Sequence, residues 1–190
     1  MSKIEVQTID APSGQNTVTI GDSNASTIAL KSGATLTNFP ANTPAFITYM
    51  SGDQSMSDNV MTKMPFNTEI LDSNSAYDTS NYRFTVPSGH AGYYLIWTRV
   101  HMLNSGTNGI YTECRIRVNG SDPSHLDGEQ SHPMDNAMDL VRFTHVNQMV
   151  LNLSEGDYVE THASWNNNGS DGITAKAESG LFFGYKLIGL

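Results

Sequence analysis

The chain has 190 residues, of which 15% are charged, and a formal net charge of −9 from 19 acids against 10 Lys and Arg. An acidic, sparsely charged surface repels phosphate backbones and argues against nucleic-acid binding. No run of about 18 apolar residues is present to cross a membrane as a helix. The single cysteine, Cys114, excludes an internal disulfide framework and a cysteine-based zinc site. Met1–Glu5 lacks the basic-then-apolar profile of a secretion signal.

Short β-branched or aromatic runs are broken by Gly, Asn, Asp, Ser or Pro at the roughly 8–12-residue spacing of an all-β sandwich or barrel. Thr17–Ile20, Ile28–Leu30 and Ala34–Thr37 come first, in a stretch nearly devoid of aromatics. Phe39-Pro40-Ala41-Asn42-Thr43-Pro44 reads as a sharp turn or linker. After it come both tryptophans, all eight tyrosines and six of the seven phenylalanines, so the core is expected from residue 44 onward. Residues 1–43 are expected to be a β-rich anchor or stem that gains order against copies of itself or a larger assembly, because short strands are marginal alone. Residues 44–190 are expected to form the head.

Within the head, Tyr94, Ile96, Thr98 and Val100 share one strand face. Ile110–Val118 alternates most clearly, with Arg115 and Arg117 pointing away from the apolar side, and Asn119-Gly120 supplies a hairpin turn. Cys114 lies mid-strand and is read as a buried, inert thiol. Asp139–Leu153 has apolar residues at spacings that fit a helix as well as a strand; its Thr, Val and Asn content and its Gly156-Asp157 stop favour strand. Phe183, Tyr185 and Leu187 share a face of the last strand.

The order of these segments resembles the globular head of the C1q and tumour-necrosis-factor superfamily. Pro44-Ala45-Phe46 and Met64-Pro65-Phe66-Asn67 resemble its opening strands. Tyr77-Asp78 and Tyr82–Pro87 resemble its "Y-D…G-x-F-x-x-P" segment, and Ala91–Ile96 its "a-G-x-Y-x-F". Leu151–Val159 resembles "L-x-L-x-x-G-D-x-V", and Leu181–Leu187 the closing "S-F-S-G-F-L-L" strand. The resemblance implies a jelly-roll sandwich that packs as a homotrimer, with Phe66, Tyr77, Phe84, Gly92, Tyr94, Phe183 and Tyr185 serving core or trimer packing. The Ser/Thr/Gly-rich runs of residues 1–43 are similar to segments of phage fibre and tail proteins.

The candidate contact surface is the polar segment Gly120–Met138, with Asp122, His125, Asp127, Glu129, His132 and Asp135, together with Asn167 and Asp171 in the Asn166–Gly172 turn. Polar segments of this kind are costly to bury and are expected to face outward. Imidazoles and carboxylates here could hold a metal, but their spacing matches no ligand signature, and no metal or cofactor is expected. Asp127, Glu129 and Asp135 form the densest acidic cluster, yet no catalytic motif accompanies them, so no enzyme is expected. The expected role is a non-enzymatic virion protein, assembled in the host cytoplasm. Tail fibre and host attachment is favoured, with capsid decoration or a free carbohydrate- or protein-binding module as alternatives. Its partners would be further copies of itself, other virion proteins through residues 1–43, and a host-surface glycan or protein.

Overall fold

Alternating apolar residues leave this chain two ways to bury a face, and it uses both by stacking two sheets. The computed structural model describes residues 41–104, 110–123, the backbone of 129–133, 142–167 and 172–188. Residues Pro40–Leu190 form one compact unit. Of the expected stem, residues 1–40 lie outside the described residues.

In chain order the strands are β1 Ala45–Tyr49, β2 Gln54–Met56, β3 Thr62–Lys63, β4 Thr68–Asp72, β5 Tyr77–Asp78, β6 Arg83–Thr85 and β7 Gly92–Asn104. They continue with β8 Tyr111–Val118, β9 Glu129–Pro133, β10 Arg142–Leu153, β11 Tyr158–Asn166, β12 Ile173–Ala175 and β13 Leu181–Lys186. The only helical turn among the described residues is Ala177–Ser179. The fold is an all-β jelly roll, as the turn spacing predicts.

Sheet A is centred on β7. The long strand β10 pairs with one side of β7 along its whole length. On the other side β13 covers Tyr94–Arg99 and β12 covers Met102–Asn104, so β12 and β13 act as one strand interrupted at Ala177–Ser179. The Arg99 guanidinium fills that interruption, its Nε donating to the Ser179 carbonyl at 2.7 Å. Beyond them, β2 pairs with β12, and β1 pairs with β13 and β4. Sheet B runs β9–β8–β11, with β3 and β6 side by side on the far edge of β11 and β5 outermost.

The core lies between the sheets. Phe46 of sheet A stacks on Phe84 of sheet B at 4.7 Å between ring centroids, with Tyr77 at 5.3 Å and Phe182 at 4.9 Å. Phe66 packs on Phe182 at 5.5 Å, and Phe84 on Tyr94 at 5.6 Å. Each such buried ring contributes about 1.5–3 kcal/mol relative to exposure. The Tyr77 hydroxyl donates to the Phe66 carbonyl at 2.9 Å, and burial pushes its ionisation well above the usual phenol range. Gly184 is where the last strand comes closest to the core. A Cβ there would lie 2.6 Å from Ile96 Cδ1 and 2.8 Å from Phe46 Cε1.

β10 resolves the helix-or-strand ambiguity. Its inward residues are His145, Asn147, Met149, Leu151 and Leu153, in strict alternation with outward ones. The two inward polar residues are paired: His145 Nε2 lies 3.1 Å from Thr112 Oγ1, and Asn147 Nδ2 donates to the Cys114 carbonyl at 3.1 Å. Asn119-Gly120 forms the expected tight turn, with both φ positive (53° and 78°) and Val118 and Ser121 exchanging backbone hydrogen bonds. The segment after it differs from expectation. Five of the residues read as part of an outward loop form strand β9, which adds to β8 as the edge of sheet B.

Candidate functional site

The outward face of sheet B follows from the alternation of β8 and β11. Thr112, Cys114 and Ile116 turn inward, which puts Glu113, Arg115 and Arg117 on the outside opposite Ser164, His162 and Glu160. These groups pair within the chain. Glu113 accepts from Ser164 Oγ at 2.7 Å and from Arg115 Nη2 at 2.9 Å. Asp122 accepts from Arg115 Nη1 at 2.5 Å and from Arg117 Nε at 3.1 Å. Lys63 Nζ lies 2.7 Å from Glu160, and His162 Nε2 lies 3.6 Å from the same carboxylate. Burial raises the Asp122 carboxyl, but the two guanidiniums outweigh it and hold the group below its ordinary range. Burial and the neighbouring Arg117 charge push His162 down to about 4. Cys114, beneath this face, is fully buried, and desolvation with the Glu113 charge pushes its thiol up to about 12.

Sheet A presents a different outward face. Row by register row, Gln148, Trp97, Phe183, Ile47 and Leu71 lie side by side, and next to them Val150, Leu95 and Tyr185. The Trp97 and Phe183 rings stack at 5.0 Å. Tyr93 is 43%, Val146 42% and Val150 48% exposed. β7, β10 and β13 contain no Asp or Glu. At the end farthest from Ala45, this face carries Arg99, His101 and Arg142 on adjacent register positions.

That far end of the head also holds a polar knot. The Asn167 N–H donates to Asp58 at 2.6 Å, its Nδ2 to Asn104 at 3.3 Å, and the Tyr111 hydroxyl to Asn59 at 2.6 Å. Asn59 takes φ +54°, and its N–H donates to the Trp165 carbonyl at 2.9 Å.

The residues singled out from sequence separate accordingly. Phe66, Tyr77, Phe84 and Tyr94 are core; Phe183 and Tyr185 lie on the outward face of sheet A. Gly92 has φ +143°, so backbone conformation explains it better than crowding: a Cβ would meet only the flexible end of Lys186, at 3.1 Å. Asp122 is exposed but is tied to Arg115 and Arg117. Asn167, expected to face outward, is fully buried, because its side chain and N–H complete the polar knot. Glu129 and His132 lie in β9 rather than in a loop. His125, Asp127, Asp135 and Asp171 lie outside the described residues. Sequence reading missed the Glu113–Ser164 and Lys63–Glu160 pairs. Only the first left a sequence signal, an acid two residues before Arg115 on the same strand face.

Against this geometry, solved structures give a consistent match. The globular domain of zebrafish complement 1qA superposes with a TM-score of 0.51 at 16% identity, covering 76% of this chain and 97% of that one. Murine APRIL gives a TM-score of 0.52 at 13% identity, covering 75% of this chain and 98% of that one. The fold is C1q/TNF-like. The Eiger TNF of S. frugiperda gives a TM-score of 0.50 at 13% identity over 75% of this chain. No family model matches the sequence. An uncharacterized protein of Bacillus subtilis (strain 168), YqcC, is 33% identical over 113 residues, 58% of this chain. The chain spans 29% of that relative's length.

Proposed function

We propose that this C1q/TNF-like chain is a non-enzymatic structural protein of a bacteriophage virion, a homotrimeric head anchored through residues 1–43 and used in host attachment. The observation that carries the assembly is the outward face of sheet A. A stacked Trp97–Phe183 pair flanked by Ile47, Leu95, Val150 and Tyr185 is a continuous apolar surface of the kind that marks an interface. A closed rotational assembly covers such a face on every copy. The three-fold symmetry is what the C1q/TNF resemblance implies. The Ser/Thr/Gly-rich runs of residues 1–43 support the virion part, because they resemble segments of phage fibre and tail proteins. The chain enters the head at Ala45, beside Tyr185 and Leu95, and the polar knot of Asp58, Asn59 and Asn167 closes the opposite end. That arrangement suits a head held at one end and presenting the other to a glycan or protein of the host surface, where three copies add weak contacts by avidity.

The test has two parts. Light scattering of the purified chain should give three times the single-chain mass, and a single-chain mass overturns the assembly. Purified phage particles should then contain the protein, and excess free head should block their attachment to the host. Absence from particles overturns the virion reading. Presence on the capsid with no block of attachment overturns the host-attachment role in favour of decoration.

A further inference from the structure

The outward face of sheet A changes character along β7. From Trp97 toward Ala45 it is aromatic and aliphatic, and beyond Trp97 it is basic. Val146 lies opposite Arg99, Thr144 opposite His101 and Arg142 opposite Leu103. Arg99, His101 and Arg142 therefore occupy successive outward rows, about 7 Å apart along the strands, at the end away from Ala45. Arg99 Nε donates to the Ser179 carbonyl, which fixes the guanidinium and leaves its Nη groups to a ligand. His101 Nδ1 lies 2.7 Å from Thr144 Oγ1, which leaves Nε2 for the same use, and Arg142 is exposed. None of the three meets a carboxylate among the described residues. β7, β10, β12 and β13 contain no Asp or Glu. Glu178, in the turn beside Arg99, forms no ion pair with it, and Asp53 is taken by Lys176. This is unusual in a chain with 19 acids and 10 Lys and Arg, whose Arg115 and Arg117 on sheet B are both paired.

We infer that Arg99, His101 and Arg142 form a binding site for the carboxylates of an acidic polysaccharide. This rests on the host-attachment reading above and names the ligand class and the residues that take it. Guanidinium groups match carboxylates in charge and in fork geometry, and such hydrogen bonds are stronger than neutral ones. The cations are strung along two strands rather than gathered at a point, which suits a ligand with repeated, spaced charges more than a single small anion. A nucleic acid carries far denser charge, about one per 1.7 Å of helix axis, and the remaining surface of a chain of net charge −9 repels it. An acidic peptide fits less well. β7 is paired on both sides, by β10 and by β12 and β13, so no backbone edge beside Arg99 and His101 is open to an added strand. What the surface offers is side-chain donors with the Thr144 hydroxyl among them, the set that a hydroxyl-rich anionic chain can use. The site lies at the end of the head opposite the chain entry at Ala45, and assembly would repeat it on every copy, so weak contacts add by avidity.

The experiment is titration calorimetry on the full chain with polygalacturonate, a carboxylated polysaccharide, compared with neutral dextran and with poly-L-glutamate. Polygalacturonate should bind, dextran should not, and poly-L-glutamate should bind more weakly. Binding should weaken as NaCl rises from about 0.1 M to about 1 M, where the screening length falls from about 10 Å to about 3 Å. Arg142→Gln with His101→Gln should lower the affinity for polygalacturonate at least about tenfold, the size expected for lost hydrogen bonds to charged groups. The light-scattering mass and the β-type circular-dichroism spectrum should not change. Where the double variant alters either, Arg142→Gln alone, at an exposed side chain, should still weaken binding. Arg117→Ser on sheet B should leave the affinity as it was. No binding of polygalacturonate, unchanged affinity in the variants, or an equal loss in Arg117→Ser overturns the inference. Tighter binding of poly-L-glutamate overturns the saccharide in favour of an acidic peptide. Each of these leaves the host-attachment reading to its own test, and free head that binds polygalacturonate yet fails to block attachment overturns that reading and not the site.

Discussion

On the outside of sheet B, Lys63, Glu113, Arg115, Arg117, Asp122 and Glu160 meet opposite charges supplied by their own chain. On the outside of sheet A, Trp97 stacks on Phe183 with Tyr185 and Val150 on neighbouring register rows, and Arg99 and Arg142 meet no acid among the described residues. Both faces cover the same core and both are built on long strands, so the difference is not one of fold. A face whose charges are neutralised locally gains nothing from a partner, because docking would desolvate pairs already satisfied. A face of stacked aromatics whose end cations meet no acid among the described residues has more to gain from a partner. On the assembly proposed above, the contrast assigns sheet B to stability and sheet A to association.

The largest expected effect comes from attacking the incomplete face. Trp97→Asp should abolish the assembled species, reducing the light-scattering mass to that of one chain while the β-type circular-dichroism spectrum persists. Arg117→Ser on sheet B should leave the mass unchanged. The comparison fails if both substitutions dissociate the protein or if neither does.

The converse asymmetry is expected for stability. Glu113→Ala leaves Arg115 without its more buried partner and Ser164 without an acceptor, a loss of about 3 kcal/mol by analogy with broken buried pairs. Urea unfolding should show the shift at constant m-value, with the native mass unchanged. A loss under about 1 kcal/mol would mean that the pair is a surface one and that sheet B is not a closed network. Inside sheet A, Gly184→Ala is expected to cost about 1–3 kcal/mol through overpacking against Ile96 and Phe46, again without any effect on assembly.

The sequence made the scaffold legible wherever burial alternates cleanly. Tyr94, Ile96, Thr98 and Val100 turn inward as their spacing requires, Asn119-Gly120 makes its turn, and Cys114 is buried. β10 was ambiguous because Val146 and Val150 place apolar residues on its outward side, which blurs the two-residue period. The property that obscured the strand is the one that marks the face proposed for association. β9 was unreadable for another reason. Glu-Gln-Ser-His-Pro has little intrinsic strand preference and owes its conformation to pairing with β8. Asn167 looked like a turn residue because an Asn run surrounds it. What buries it is a hydrogen bond to Asp58, 109 residues away, which local sequence does not display. Of the candidate contact residues, only Asp122 is described with its side chain exposed, and its two arginine partners lie on the preceding strand, five and seven residues back.

A pH series sharpens the sheet B side further. His162 is held near pKa 4, below the ordinary 6.5, by burial and by Arg117. A base with a depressed folded pKa is neutral in the native state and takes a proton on unfolding, so the unfolded chain binds more protons between these two values. Stability contributed by neutral His162 is therefore complete above about pH 6.5 and is lost as pH falls toward 4. His162→Gln should flatten the fall in unfolding free energy across that window. An unchanged slope would place the titration in another group.

The smallest effect is expected at Asp122, and its smallness is informative. The side chain is 40% exposed, so its two guanidinium contacts are worth about 0–1 kcal/mol despite their good geometry. The sign of its pH dependence is opposite to that of His162. A carboxyl held below its ordinary range stabilises the fold above that range and stops doing so once acid protonates it. Asp122→Asn should thus cost little at neutral pH, cost nothing in strong acid, and leave the assembled mass unchanged, because this acid is already committed to Arg115 and Arg117. If the substitution instead weakens assembly, Asp122 also serves a neighbour, and the two faces divide their work less sharply than their geometry indicates.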